Sequence, residues 1–102
     1  MKKQTKQLQN DNAENKTQEI LKFPCSFPIK IMGINHEDLL PEVIAIITKH
    51  VSNFNPQADI TTRPSNKGNY LAITATIMAT SKQQLDTIYL ELHKHKLVKV
   101  ML

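Results

Sequence analysis

The chain has 102 residues, enough for one small domain and no more. Its formal charge of +4 is spread thinly, and in the first 19 residues four lysines are nearly balanced by Asp11, Glu14 and Glu19, which excludes the concentrated basic stripe of a dedicated nucleic-acid binder. Cys25 is the only cysteine, so an intrachain disulfide is excluded and a reducing compartment fits. No apolar run follows the N-terminal lysines and none reaches the length of a membrane span, so neither a secretory signal nor a membrane anchor is expected and a cytoplasmic location is.

Residues 1–19 contain almost no apolar side chains beyond Leu8 and Ala13. Such a segment buries too little to offset the entropy of ordering it, so a disordered polar tail is expected there, with the folded domain over 20–102. Phe27, Ile29 and Ile31 alternate with Pro28, Lys30 and Met32, the period of a half-buried strand that ends at Gly33. Pro41 is tolerated best in a first helical turn, so a helix is expected to start near Asp38. Its apolar stripe runs through Leu40, Val43, Ile44, Ile47 and Val51. Residues 52–56 break it, and a short strand follows through Ile60 and Thr62 to Pro64.

The turn-rich loop 65–69 leads into the clearest strand, Tyr70 to Ala79, with Leu71, Ile73, Ala75 and Ile77 on one face. Ser81 followed by Gln84 is a capping-box spacing, and Leu85, Ile88, Tyr89 and Leu92 form a second helical stripe. Val98, Val100 and Leu102 alternate in a last strand, which points Lys99 and Met101 the other way.

The order β-α-β-β-α-β predicts an α+β, ferredoxin-like two-layer sandwich with a four-stranded antiparallel sheet. Each helix has one apolar stripe, so both helices are expected on one face of the sheet. The opposite face is then open, lined by Lys30, Met32, Arg63, Tyr70, Thr74, Thr76 and Met78, together with Thr61, Lys99 and Met101. That mixture is too polar for a second core and apolar enough for a protein partner or a second copy. RNA-recognition domains share this strand order but stack bases on several sheet aromatics, and Tyr70 is the only one here, so nucleic acid ranks low.

Catalytic chemistry finds little support. Cys25 has no base paired with it by any recognisable spacing. His36, His50, His93 and His95 follow no metal-ligand pattern, and the acidic residues fall on outer helical faces. No metal, no cofactor and no enzymatic activity are expected. Two loops stand out as possible ligand sites. The hairpin loop offers Ser65, Lys67, Gly68 and Asn69, whose hydroxyl, charge and backbone N–H groups suit an anion, or which simply connect two strands. The turn out of the first strand offers Gly33 and Asn35 beside a helix N-terminus, or an ordinary capped helix start.

Four stretches carry a family resemblance: Phe-Pro-x-x-Phe at 23–27, Ile-Met-Gly at 31–33, Pro-Ser-Asn-Lys-Gly-Asn-Tyr at 64–70, and Leu-Val-Lys-Val-Met-Leu at 97–102. Through them the segment from Phe23 to Leu102 resembles the short bacterial YbeD-like proteins. The resemblance implies a fold similar to ACT-like regulatory domains, which bind amino acids near the turn from the first strand to the first helix, often across a dimer interface. Residues 33–36 occupy that place. The leading expectation is a non-catalytic regulatory or adaptor domain acting by protein–protein association; the alternative is a small-molecule sensor of ACT type.

Overall fold

The computed structural model describes residues 22–102. The tail expected over 1–19 and the domain start at Ile20 lie outside the described residues. Strand β1 is Cys25–Ile34, two residues longer at its start than periodicity alone suggested, followed by helix α1, Leu39–His50. A one-turn helix α2, Pro56–Asp59, precedes β2, Ile60–Pro64. Then come β3, Tyr70–Ala79, helix α3, Lys82–Lys94, and β4, Val98–Met101. The sheet order is β2-β3-β1-β4, and every neighbouring pair is antiparallel. This is the expected ferredoxin-like sandwich with one element added.

The added element is α2. Asn55 caps it by accepting from the Gln57 N–H at 3.1 Å, and the Asp59 carboxylate accepts from the Asn55 N–H at 2.9 Å. Pro56 sits at its first position, where a missing N–H costs nothing. The Asn-Pro pair that reads as a helix break is thus also a helix start.

Both long helices cover one face of the sheet, and their stripes meet the strands in a single cluster. Leu39, Val43, Ile47 and Val51 come from α1 and its C-cap, and Leu85, Ile88 and Leu92 from α3. Ile29, Ile31, Ile73, Ala75, Ile77, Ala79 and Val98 rise to meet them from the strands. The α1 stripe starts at Leu39 instead of Leu40, which is half-buried at its margin. No polar side chain among the described residues is buried. Cohesion therefore rests on aliphatic packing.

At the helix ends the capping box behaves with a variation. Ser81 accepts from the Gln84 N–H at 3.0 Å, while Gln84 reaches back to the Thr80 N–H at 2.7 Å. The Gln84 amide also donates to the His50 carbonyl at 2.9 Å, so one side chain closes the start of α3 and the end of α1.

Strand β4 departs from simple alternation. Met101 pairs with Ile31 and Val100 with Met32, but Val98 pairs with Gly33, which leaves Lys99 as an extra residue in a β-bulge. Residues directly opposite in a sheet share a face. Val98 therefore points into the core, Val100 shares the open face with Met32, and Met101 turns inward beside Ile31. Met101 packs against the core cluster. The expectation that Met101 faces outward while Val100 and Leu102 face inward is corrected: the bulge reverses all three.

Candidate functional site

The two loops singled out from sequence lie together at one end of the sheet. Asn35 bridges them. Its backbone N–H donates to the Asn69 carbonyl at 3.0 Å, and its side-chain amide donates to the Gly68 carbonyl at 3.0 Å. Within the hairpin, the Ser65 N–H donates to the Tyr70 carbonyl and the Tyr70 N–H to the Ser65 hydroxyl. The Gly68 N–H closes the turn on the Ser65 carbonyl at 2.9 Å. Gly68 has φ +77°, a conformation that a side chain disfavours. Several polar groups proposed for a ligand thus hold the two loops to each other. Lys67 is exposed at the tip and makes no ion pair among the described residues.

Gly33 has a packing reason of its own. A Cβ built there would sit 2.5 Å from the Leu97 carbonyl oxygen and 2.9 Å from a Leu39 methyl. The glycine lets β1 pass close beneath the entry to β4, whatever binds nearby.

Asn35→Ala removes the side-chain bond to Gly68 and leaves the backbone bond to Asn69 in place. We expect a loss of about 1 kcal/mol in denaturant unfolding, with faster amide exchange confined to 65–69. Unchanged exchange there means that the Asn35 amide does not join the loops.

The open face is the larger feature. The β1–β3 register puts Lys30 opposite Thr74, Met32 opposite Ala72, Pro28 opposite Thr76 and Ser26 opposite Met78. Across β3, Thr61 opposes Thr74 and Arg63 opposes Ala72. All seven residues expected to form this face therefore do so, with Tyr70 at its loop end. Sequence reasoning missed Val100 and Leu102, which the bulge brings to the same face. Leu102 continues the pairing through its N–H to the Lys30 carbonyl at 2.9 Å. Met78, Val100 and Leu102 are 50, 44 and 66 % exposed. Of the five large apolar side chains most exposed among the described residues, only Leu90 lies elsewhere, on α3.

Two shallow depressions cross this face. One is bounded by Met32, Arg63, Ser65 and Tyr70, the other by Lys30, Thr61, Arg63, Thr74 and Leu102. Both open broadly to solvent, a shape suited to a side chain from a partner rather than to an enclosed small molecule.

Of the carboxylates expected to be solvated on helical faces, Asp38 and Asp86 are exposed, whereas Glu42 and Glu91 bridge the two long helices. The Glu42 carboxylate meets His95 Nε2 at 3.2 Å, and His95 Nδ1 accepts from the Leu97 N–H, so Nε2 carries the proton. Glu91 takes Lys49 on one oxygen at 2.8 Å and His50 on the other at 2.9 Å. The hydrogen bond from Lys49, then that from His50, holds the Glu91 carboxyl below its ordinary value of 4.5. A carboxylate with a lowered folded-state pKa stabilises above its unfolded value and loses that contribution as pH falls through the folded one. Acidification below about pH 4.5 therefore weakens this bridge. We expect Glu91→Gln to lose less stability than the wild type between neutral and acidic pH in parallel thermal scans. Superimposable acid limbs for the two proteins would sink this assignment.

Among the described residues no three His, Cys, Asp or Glu side chains gather as a metal site, and no helix is long and apolar enough to cross a membrane. Residues 18–102 match the family described as "Protein of unknown function (DUF493)". A "UPF0250 protein" of Janthinobacterium sp. (strain Marseille) is 41% identical over 86 residues, covering 84% of this chain and 93% of the relative. One of Paraburkholderia phytofirmans is 44% identical over 85 residues, covering 83% and 94%. One of Neisseria gonorrhoeae is 43% identical over 89 residues, covering 87% and 96%. The similarity spans the whole sandwich, including the Asn35-bridged loops and the bulged last strand, and it bears out the YbeD-like resemblance: the chain belongs to the DUF493/UPF0250 family of bacterial proteins.

Proposed function

We propose that the protein is a non-catalytic regulatory or adaptor domain that works by association, taking a protein partner or a second copy on the open face of its sheet. One observation carries this reading: the face without helices concentrates Tyr70, Met78, Val100 and Leu102, four of the most exposed large apolar side chains. Scattered apolar residues are ordinary on a surface, but a set gathered on one sheet face is the usual mark of an interaction site. The test is a paired Met32→Glu and Thr76→Glu variant of the full chain. Affinity capture from extract and sedimentation in pure solution would be compared with wild type. Loss of a captured protein or of self-association, with unfolding temperature held, supports the reading. Identical captured proteins and identical sedimentation remove the open face from the account.

A second reading, a small-molecule sensor of ACT type, draws on the contact between the Gly33–Asn35 turn and the loop of Ser65, Lys67, Gly68 and Asn69. A ligand at about 100 times its Kd adds about 2.7 kcal/mol to stability. A thermal screen of the full chain against amino acids tests this, with Lys67→Ala expected to erase any shift. Gly33 is unsuitable for that experiment, because its substitution disturbs packing.

A further inference from the structure

We infer that the occupant of the open face is an acidic, apolar segment of a different protein rather than a second copy of this chain; the inference rests on the association reading above. Among the described residues that the register pairs across this face, the charged side chains are Lys30 and Arg63, and no Asp or Glu side chain joins them. They stand on β1 and β2 with β3 between them and two residues out of row, about 12 Å apart on the sheet. Neither makes an ion pair among the described residues. The carboxylates lie elsewhere. Glu37 and Asp38 stand in the turn from β1 to α1, Glu42 and Glu91 are engaged between the helices, Asp86 is paired with Lys82, and Asp59 accepts from the Asn55 N–H at the rim near Met78.

A face-to-face pair of identical copies would bring two such cation pairs into one interface with nothing opposite in charge between them. Like charges brought together while losing water oppose association strongly. A segment with carboxylates above Lys30 and Arg63, and aliphatic side chains against Met32, Val100 and Leu102, satisfies both parts of the surface. Nucleic acid would match the cations alone. It needs a longer basic track and more than one stacking ring, and this face offers Tyr70 alone among threonines and aliphatic side chains.

The test uses the full chain and three sets of short synthetic peptides: acidic with apolar residues, basic with the same apolar residues, and acidic with polar residues only. The first set is expected to bind best and to weaken as salt is raised. Lys30→Glu combined with Arg63→Glu should weaken it about tenfold or more and transfer preference to the basic set. Peptide binding that is indifferent to charge but lost in the Met32→Glu, Thr76→Glu variant overturns the inference and leaves the association reading standing. Absence of any binding that depends on this face counts against both. A single-stranded RNA that displaces the peptides, and is itself lost on charge reversal, overturns the inference in favour of nucleic acid. Sedimentation showing a wild-type dimer disrupted by the Met32→Glu, Thr76→Glu variant overturns it in favour of a second copy.

Discussion

Replacing Gly33 by alanine is expected to destabilise the domain by about 3 kcal/mol, although it adds one methyl group. The new Cβ meets the Leu97 carbonyl oxygen at 2.5 Å and the Leu39 methyls at 2.9 and 3.0 Å. Neither neighbour has an easy retreat. The Leu97 carbonyl accepts from the Ile34 N–H at 2.9 Å, so moving it breaks the bond that joins the start of β4 to the end of β1. Leu39 is wholly buried and wedged among Val43 and the strand residues. Overpacking a core costs about 1–3 kcal/mol, and a strained or lost backbone bond adds about another 1. For a domain of this size such a loss lowers the midpoint of thermal unfolding on the order of 15 °C. Gly68→Ala is the control. Its Cβ meets nothing within 4 Å, and only the positive φ opposes it, so a loss of about 1 kcal/mol is expected. Thermal and denaturant unfolding of the two variants side by side decide the matter. Equal, small losses would mean that the close approach at Gly33 relaxes without cost.

This comparison also shows where sequence reasoning reached its limit. Gly33 was legible as a strand end and a candidate ligand contact, because a glycine before a helix start invites both readings. Its packing role depends on Leu97, 64 positions away in the chain. The faces of β1 and β3 were legible because Ile29, Ile31, Ile73, Ala75 and Ile77 keep a strict period of two and one face is buried. Helix α3 was legible from Ser81 and Gln84, a local signal that survives in the structure with Thr80 as the back-bonded partner. Helix α2 was written in Asn55-Pro56 and Asp59, a cap and a first-turn proline that also serve as a break signal. The bridges from Glu42 to His95 and from Glu91 to Lys49 and His50 had no local signature, since each joins elements brought together only by the sandwich. The open face was read correctly on β1, β2 and β3. It was incomplete on β4, because a bulge shifts every later side chain by one position.

That shift gives the second large effect. Met101→Glu is expected to cost about 2–3 kcal/mol, and Val100→Glu no more than about 0.5. The two positions are adjacent, similar in apolar character and near the end of the chain, so propensity and chain position predict equal effects. The register separates them. Met101 opposes Ile31, whose side chain is wholly buried, and packs against the core cluster, so a carboxylate there loses water or forces β4 away from β1. Val100 opposes Met32 and is 44% exposed on the open face, where a carboxylate stays solvated. Unbroken alternation from Val98 would reverse the order, so urea titration of both variants reads the bulge directly. The same pair bears on function. If the open face takes a partner, Val100→Glu keeps its fold and loses the partner, whereas Met101→Glu loses both together. A Val100→Glu protein that unfolds as early as Met101→Glu would place Val100 in the core together with Leu102, which shares its face, and the apolar surface on which association is argued would shrink to Tyr70 and Met78.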